Sequence, residues 1–171
     1  IGLLALQSLK MYGASEVTVI EPLEARRRIA VRYGADHVID PVNSDLQAEA
    51  DRITNGLGYD VVIDCSGSVR AVQGLPPITA KGGKLIYGAQ YPNDYEMPFN
   101  LYKYCYFNEI TVTGFFVAPY AYPRALQMLD KYELDDFTEK VVPLDEIEEA
   151  FRIHFSGKYL KVLVKCNDDL D

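Results

Sequence analysis

A glycine at the start of an apolar helix and an acid nineteen positions later are the first residues of this chain that could do chemistry. Gly2 opens the run Gly-Leu-Leu-Ala-Leu, and Glu21 closes Val-Thr-Val-Ile. A helix N-terminus presents free N–H groups and a positive dipole end, which suit a pyrophosphate. A carboxylate at the end of the next strand can accept both hydroxyls of an adenosine ribose. It would repel a 2′-phosphate, so it favours NAD over NADP. In a dinucleotide-binding βαβ unit the third glycine of G-x-G-x-x-G opens the helix, and an acid about 20 residues on takes the ribose. Gly2 and Glu21 fit the back half of such a unit. The first strand and the first two glycines do not precede Gly2 in the sequence, so the expected fold lacks them and is truncated at its N-terminus. The plainer alternative is that Gly2 only permits close helix–strand packing and that Glu21 is a solvated strand end.

Other residues extend this reading. Arg26, Arg27 and Arg28 follow on the next helix. Three arginines near an adenosine could hold a 2′-phosphate, but Arg27 and Arg28 read as a solvated face paired with Glu24, leaving Arg26 as the ribose or phosphate neighbour. Ser66-Gly67-Ser68 and Gly88-Ala89-Gln90 close two successive strands. Ligands of open α/β sheets bind at the carboxyl ends of strands, where small residues admit close backbone approach. Ordinary turn chemistry accounts for either loop alone. His37 and His154 are the only histidines, and neither has Cys, Asp or Glu at ligand spacing. No H-E-x-x-H, G-x-S-x-G or Tyr-x-x-x-Lys arrangement occurs. The expectation is therefore no catalytic constellation and no metal site in this chain.

The elements that must position these residues alternate. Leu3, Leu4, Leu6, Leu9 and Met11 have helical spacing up to Gly13. Val17–Ile20 forms a strand with little alternation, as expected where both faces of a parallel sheet are covered. A helix from Leu23 to Tyr33 follows, then a strand at His37-Val38-Ile39, then a helix capped by Asn43 or Ser44 and ended by Asn55-Gly56-Leu57-Gly58. Tyr59–Cys65 is the next strand. The helix after it is damaged at Pro76-Pro77, and Gly82-Gly83 leads into Lys84–Tyr87. This rhythm predicts an α/β fold with a doubly wound parallel sheet, the Rossmann arrangement. Beyond Gly88 the expectations are a polar loop to Pro98, a short helix in Phe99–Phe107 and an alternating strand from Glu109 to Thr113. A helix follows at Pro123–Tyr132, a strand at Lys140–Val142, a helix at Leu144–Phe155 and a last strand at Leu160–Val164. No repeat or linker interrupts the 171 residues, which read as one domain.

Composition narrows the partners. Hydrophobic residues at 49% and charged residues at 25% are ordinary for a globular chain. The net charge of −8 disfavours nucleic acid and anionic membrane. The apolar runs are strand-sized, so no membrane span is expected, and no signal peptide is legible at the N-terminus. Cys65, Cys105 and Cys166 are widely spaced and form no C-x-x-C pair. That argues against a disulfide framework or a zinc knuckle and fits a reducing cytoplasm.

The strings Ile1–Gln7, Val19-Ile20-Glu21-Pro22, Tyr33–Pro41, Asp60–Gly67 and Gly82–Leu85 resemble the cofactor domain of zinc-dependent medium-chain alcohol dehydrogenases. The likeness continues through Phe115–Tyr120, Tyr122–Leu126 and Val142–Asp145 to Ser156–Val162. The Phe-Val-x-Pro-Tyr-x-x-Pro-Arg-Ala string is most similar to the polyol, butanediol and threonine dehydrogenase branch.

The resemblance implies an NAD-dependent parent enzyme in which zinc activates a secondary alcohol or polyol and hydride passes to nicotinamide. It also implies that the zinc ligands belong to a GroES-like catalytic domain absent from this sequence, as is the four-Cys structural zinc lobe, so this chain alone would be inactive. By the same resemblance Glu21 and Arg26 hold the adenosine ribose, and Ser66 and Gly67 flank adenine. Tyr87, Gly88, Ala89, Phe115 and Val117 line the nicotinamide, Lys161 meets the pyrophosphate, and the Glu109–Gly114 strand pairs across a homodimer. A zinc-free quinone reductase of the same superfamily and a non-catalytic nucleotide-binding module remain as alternatives. A methyltransferase is a more distant one. A missing central strand would leave two rows of backbone groups unpaired. The expectations are a sheet that closes up, a strand borrowed from a neighbouring chain, or a strand lost only from the recorded sequence.

Overall fold

Leu6 anchors the first helix. It sits one turn into α1 (Gly2–Met11) and is 1% exposed, with Gln7 buried beside it. The chain then turns back, and Asp36 fastens that turn: its carboxylate receives the Val17 N–H at 2.6 Å and the Lys10 ammonium at 2.9 Å. β1 (Thr18–Ile20) lies parallel to β2 (His37–Ile39), with Val19 opposite Val38. α2 (Glu24–Arg32) connects them and buries Ala30. The computed structural model describes residues 1–117 and 120–167, so Ala118 and Pro119 of the Phe-Val-x-Pro-Tyr string lie outside the described residues.

α3 (Leu46–Thr54) starts at Asp45, whose side chain accepts the Ala48 N–H at 2.8 Å. The cap is thus Asp45 rather than Asn43 or Ser44. Asn43 is occupied elsewhere, donating its amide to Asp40. Asn55 ends the helix in the left-handed conformation, which Asn tolerates better than most residues. β3 (Tyr59–Asp64), β4 (Thr79–Tyr87) and β5 (Thr111–Gly114) form a three-stranded parallel sheet in that order. The Pro-Pro damage is real: two four-residue helices, α4 (Val69–Val72) and α5 (Leu75–Ile78), replace a single one. β4 begins five residues before Lys84. Its register against β3 slips between Tyr59↔Thr79 and Val61↔Lys84, and the slip takes up Gly82-Gly83.

Ala50, Val62, Val72, Leu75, Ile78, Leu85 and Ile110 form the core under this sheet. Leu85 is fully buried, which contributes about 1.5–3 kcal/mol relative to exposure. Tyr102–Phe107 makes a π-helical turn, the expected short helix in an unexpected form. The strand after it starts at Thr111, not Glu109. Glu109 has φ 56°, outside the extended region, and Ile110 is 4% exposed and turned into the core.

The contacts gather into two compact units, residues 1–122 and 123–171, and α6 (Tyr122–Met128) begins at their junction. Within the second, β6 (Val141–Pro143) runs parallel to β7 (Leu163–Lys165), and α8 (Ile147–Phe155) lies between them in sequence. Val142 and Ala150 form its buried centre, and α7 (Asp135–Thr138) precedes β6. Every strand pair is parallel, as the α/β reading requires.

Two expectations need correction. Among the described residues the sheet does not close up into one: β1 pairs with β2 and β3 with β4, and β1 and β3 belong to separate sheets. For the same reason β3 is not buried on both faces. Val61 is 45% exposed, because a strand with a neighbour on one side only leaves part of its surface uncovered.

Candidate functional site

Asp64 ends β3 with its side chain turned back into the protein, 4% exposed. Its carboxylate organises the turn that follows. Oδ1 accepts the Ser66 N–H at 3.1 Å and the Ser66 hydroxyl at 2.7 Å, and Oδ2 accepts the Gly67 N–H at 3.1 Å. Such local folding back is the habit of Asp in turns. Oδ2 also receives the hydroxyl of Tyr91, 27 residues downstream. Burial alone would raise the Asp64 pKa. The hydrogen bonds from Tyr91, Ser66 and Gly67 outweigh it and hold the carboxyl below its ordinary value.

The turns after β3 and β4 touch. The Gly88 N–H donates to the Asp64 carbonyl at 3.0 Å. Gly67 has φ 65°, and a Cβ there would collide with the Gln90 carbonyl oxygen and meet the Ala89 side chain at 3.5 Å. Gly88 lies beneath Phe115: a Cβ would stand 2.7 Å from the ring. The N-terminus of α1 arrives at the same place: a Cβ added at Gly2 would stand 3.8 Å from the Cys65 side chain. Burial raises the Cys65 thiol pKa.

The structure thus brings Gly2, Ser66, Gly67, Gly88, Ala89 and Phe115 to one edge, where α1 starts and β3, β4 and β5 end. Tyr87 is the last residue of β4, and its ring meets Tyr91 edge-on at 6.2 Å. Burial, then the negative charge of Asp64, pushes the Tyr87 phenol up to about 12. Val117 follows Phe115 on the exposed run beyond β5, with φ 55°.

Glu21 lies apart from this edge, just after β1, and Arg26 belongs to α2, which follows it. The Glu21 N–H extends the β1–β2 ladder to the Ile39 carbonyl at 3.1 Å. One carboxylate oxygen accepts the Leu23 N–H at 2.9 Å at the start of α2. A carboxylate has acceptor capacity beyond one amide. Arg28 pairs with Glu24 as expected. Arg27 does not lie on a solvated face. Its guanidinium donates to the Glu21 and Pro22 carbonyls, both at 2.7 Å, and pairs with Asp40 at 2.8 Å. It is a brace for the acidic turn. Lys161 belongs to the second unit, exposed just before β7.

Sequence reading missed Asp64, Tyr91 and Arg27. Asp64 left one legible signal, an Asp two residues before a Ser-Gly turn. Tyr91 left none, because its partner is remote in sequence. Among the described residues no group of three His, Cys, Asp or Glu could hold a metal ion, and no helix is long and apolar enough to cross a membrane.

Comparison with known proteins agrees with the fold and the order of these elements. Residues 1–131 match the family model described as zinc-binding dehydrogenase. The L-threonine 3-dehydrogenase of Pyrococcus horikoshii is 36% identical over 168 residues, covering 95% of this chain and 48% of its own length. The sorbitol dehydrogenase of Bacillus subtilis is 30% identical, covering 98% of this chain and 48% of its own. The crystal structure of 2R,3R-butanediol dehydrogenase from Bacillus subtilis superposes with a TM-score of 0.83 at 26% identity, covering 97% of this chain and 48% of that one. The chain therefore spans about half the length of the relatives it matches.

Proposed function

The chain belongs to the zinc-binding dehydrogenase family, and from that premise we propose that it is the NAD-binding part of an oxidoreductase acting on a secondary alcohol or polyol. The observation that carries the proposal is the convergence of the start of α1, at Gly2, with the glycine-lined ends of β3 and β4. Glycine at positions 67 and 88 leaves room where a Cβ would fill the edge. We read residues 1–171 as one cofactor domain, supported by a family match that runs past the boundary between the two units.

Each residue has a role in this reading. The N–H groups at Gly2 take the pyrophosphate. Glu21 takes the hydroxyls of the adenosine ribose and repels a 2′-phosphate. Arg27 holds that turn in place, and Arg26 lies beside the ribose. We propose that Ser66 and Gly67 serve the nicotinamide end and not the adenine that the resemblance implies, a reading supported by the close approach of their turn to Ala89–Gln90. The two rings of an extended dinucleotide are separated by two riboses and a pyrophosphate, so turns that touch each other serve one end of it. Ser66 and Gly67 therefore join Tyr87, Gly88, Ala89, Phe115 and Val117 at the nicotinamide end. NAD, when bound, supplies the hydride acceptor. This chain supplies its binding and orientation.

Zinc does not fit the described residues, which hold no suitable donor cluster. A zinc that polarises the substrate oxygen would be held by a catalytic domain outside these 171 residues. Homodimer pairing through the Glu109–Gly114 strand is supported by β5, an edge strand exposed along its whole length. A reducing cytoplasm suits three free cysteines.

The test is hydride transfer by the full-length protein. A secondary alcohol or polyol should reduce NAD, and a chelator should abolish the rate. Chelator-insensitive reduction would move the assignment to the zinc-free quinone reductase branch. Failure to bind NADH at all would defeat the reading.

A further inference from the structure

Asp64 makes two kinds of hydrogen bond. Those to Ser66 and Gly67 are local and belong to the turn itself. The bond from Tyr91 is long-range and ties that turn to the segment after β4. Together the four donors fill the acceptor capacity of an ionised carboxylate, so the buried charge is satisfied without water. Tyr91 is held in turn: its ring lies between Tyr87, edge-on at 6.2 Å, and Tyr95, stacked at 6.3 Å. Tyr95 accepts a hydrogen bond from the Gln73 amide at 3.2 Å. The clasp also reaches α4, because the Ser66 hydroxyl that donates to Asp64 accepts the Ser68 N–H at 3.1 Å.

We propose that Asp64 is a positioning residue whose carboxylate, gripped by Tyr91, sets the spacing between the Ser66–Gly67 turn and the Gly88–Gln90 segment and thereby shapes the nicotinamide end of the site. The inference rests on the cofactor reading above. A turn that needed only local order would be complete with the two amides and the Ser66 hydroxyl. The Tyr91 hydroxyl adds a constraint across two strand ends. Burial, and donation to Asp64, push that phenol far above its ordinary range, so it stays a donor at any physiological pH.

Tyr91→Phe removes the clasp and keeps the ring, and Asp64→Asn removes the charge and keeps the shape. In the purified protein two nucleotides separate the ends of the site: NADH carries the nicotinamide and ADP-ribose does not. Fluorescence titration of Tyr91→Phe should show NADH binding weakened about tenfold, as for the loss of one hydrogen bond to a charged group, with ADP-ribose affinity unchanged. Without nucleotide, amide exchange at residues 66–67 and 88–90 should quicken in both variants. Equal weakening of both ligands would reduce Tyr91 to general support and overturn the proposal, as would unaltered NADH affinity or unaltered exchange. If the unaltered protein binds ADP-ribose and NADH equally, the wall does not contact the nicotinamide, and this inference alone fails. If it binds neither, the cofactor reading fails and this inference falls with it.

Discussion

Gly67→Ala should be among the most damaging single-methyl additions to this protein, and three glycines show why. At Gly82, φ is 73° and nothing lies within 4 Å of an added Cβ. Alanine there meets only the backbone penalty of the left-handed region, about 1–2 kcal/mol. At Gly88 no positive φ is involved, and the methyl meets the Phe115 ring at 2.7 Å. That ring is 58% exposed and can swing away. Gly67 combines a φ of 65° with a collision against the Gln90 carbonyl, which is backbone and can yield only if the segment after β4 moves. Moving it breaks the Gly88 N–H bond to Asp64 or frees Tyr91 from the buried carboxylate, each worth about 1–3 kcal/mol. The sum is about 2–5 kcal/mol, a large fraction of the 5–15 kcal/mol that holds a typical domain together. Urea unfolding followed by tyrosine fluorescence suits a chain with 13 tyrosines and no tryptophan. The expected order of loss is Gly67→Ala well beyond Gly82→Ala, with Gly88→Ala smallest. If Gly67→Ala costs no more than Gly82→Ala, the two turns are not in contact and the nicotinamide-end wall does not exist as described.

Leu85→Ala, at the fully buried centre of β4, should cost about 2–5 kcal/mol by opening a cavity, read from the urea midpoint at unchanged slope. Asp45→Ala removes the side-chain cap of α3 and should cost about 1 kcal/mol. Asn43→Ala and Ser44→Ala should cost clearly less, since neither caps the helix. Stability should also fall in acid. The Asp64 pKa is lowered in the folded state: its hydrogen bonds outweigh the upward push of burial. A lowered folded value means the contribution is fully present above the unfolded pKa, near 3.9, and is lost as pH falls through the folded value. Urea midpoints of Asp64→Asn and the unaltered protein should converge as pH drops from 7 to 3. Parallel curves would show that Asp64 does not carry this charge.

Much of the first unit was legible because its signals are local. Apolar spacing located α1, and the flanking turn and cap residues located α2 and α3, to within about two residues, with Asn55-Gly56 marking the end of α3. The misses share a cause. Asp45 was chosen as the cap over two neighbours with equal credentials, because Asn43 had a better partner in Asp40. The start of β5 moved to Thr111 because burying Ile110 turned Glu109 into the left-handed region. Arg27 looked like one of three equivalent arginines until the chain brought two carbonyls and Asp40 within its reach. The Asp64–Tyr91 pair was invisible for the same reason: 27 residues separate its members. Spacing reports what one element does with itself, and these residues are defined by what another element brings to them.

The division between the β1–β2 sheet and the β3–β4–β5 sheet bears on the site as a whole. Ile20 of β1 and Tyr59 of β3 both pack against the same buried core, yet β1 and β3 share no ladder. The Tyr59 hydroxyl is buried without a hydrogen-bond partner. Thr18 acts on its ionisation from close by, less than burial does, but lies outside bonding geometry. An orphaned buried hydroxyl costs about 1–3 kcal/mol. Among the described residues no backbone ladder joins the sheet that ends at Glu21 to the sheet that ends at Gly88. A dinucleotide that reaches from one to the other would bridge the two sheets. Binding confined to the folded form stabilises it by about 2.7 kcal/mol at one hundred times the dissociation constant, and here that stabilisation would act at the junction the ladder leaves open.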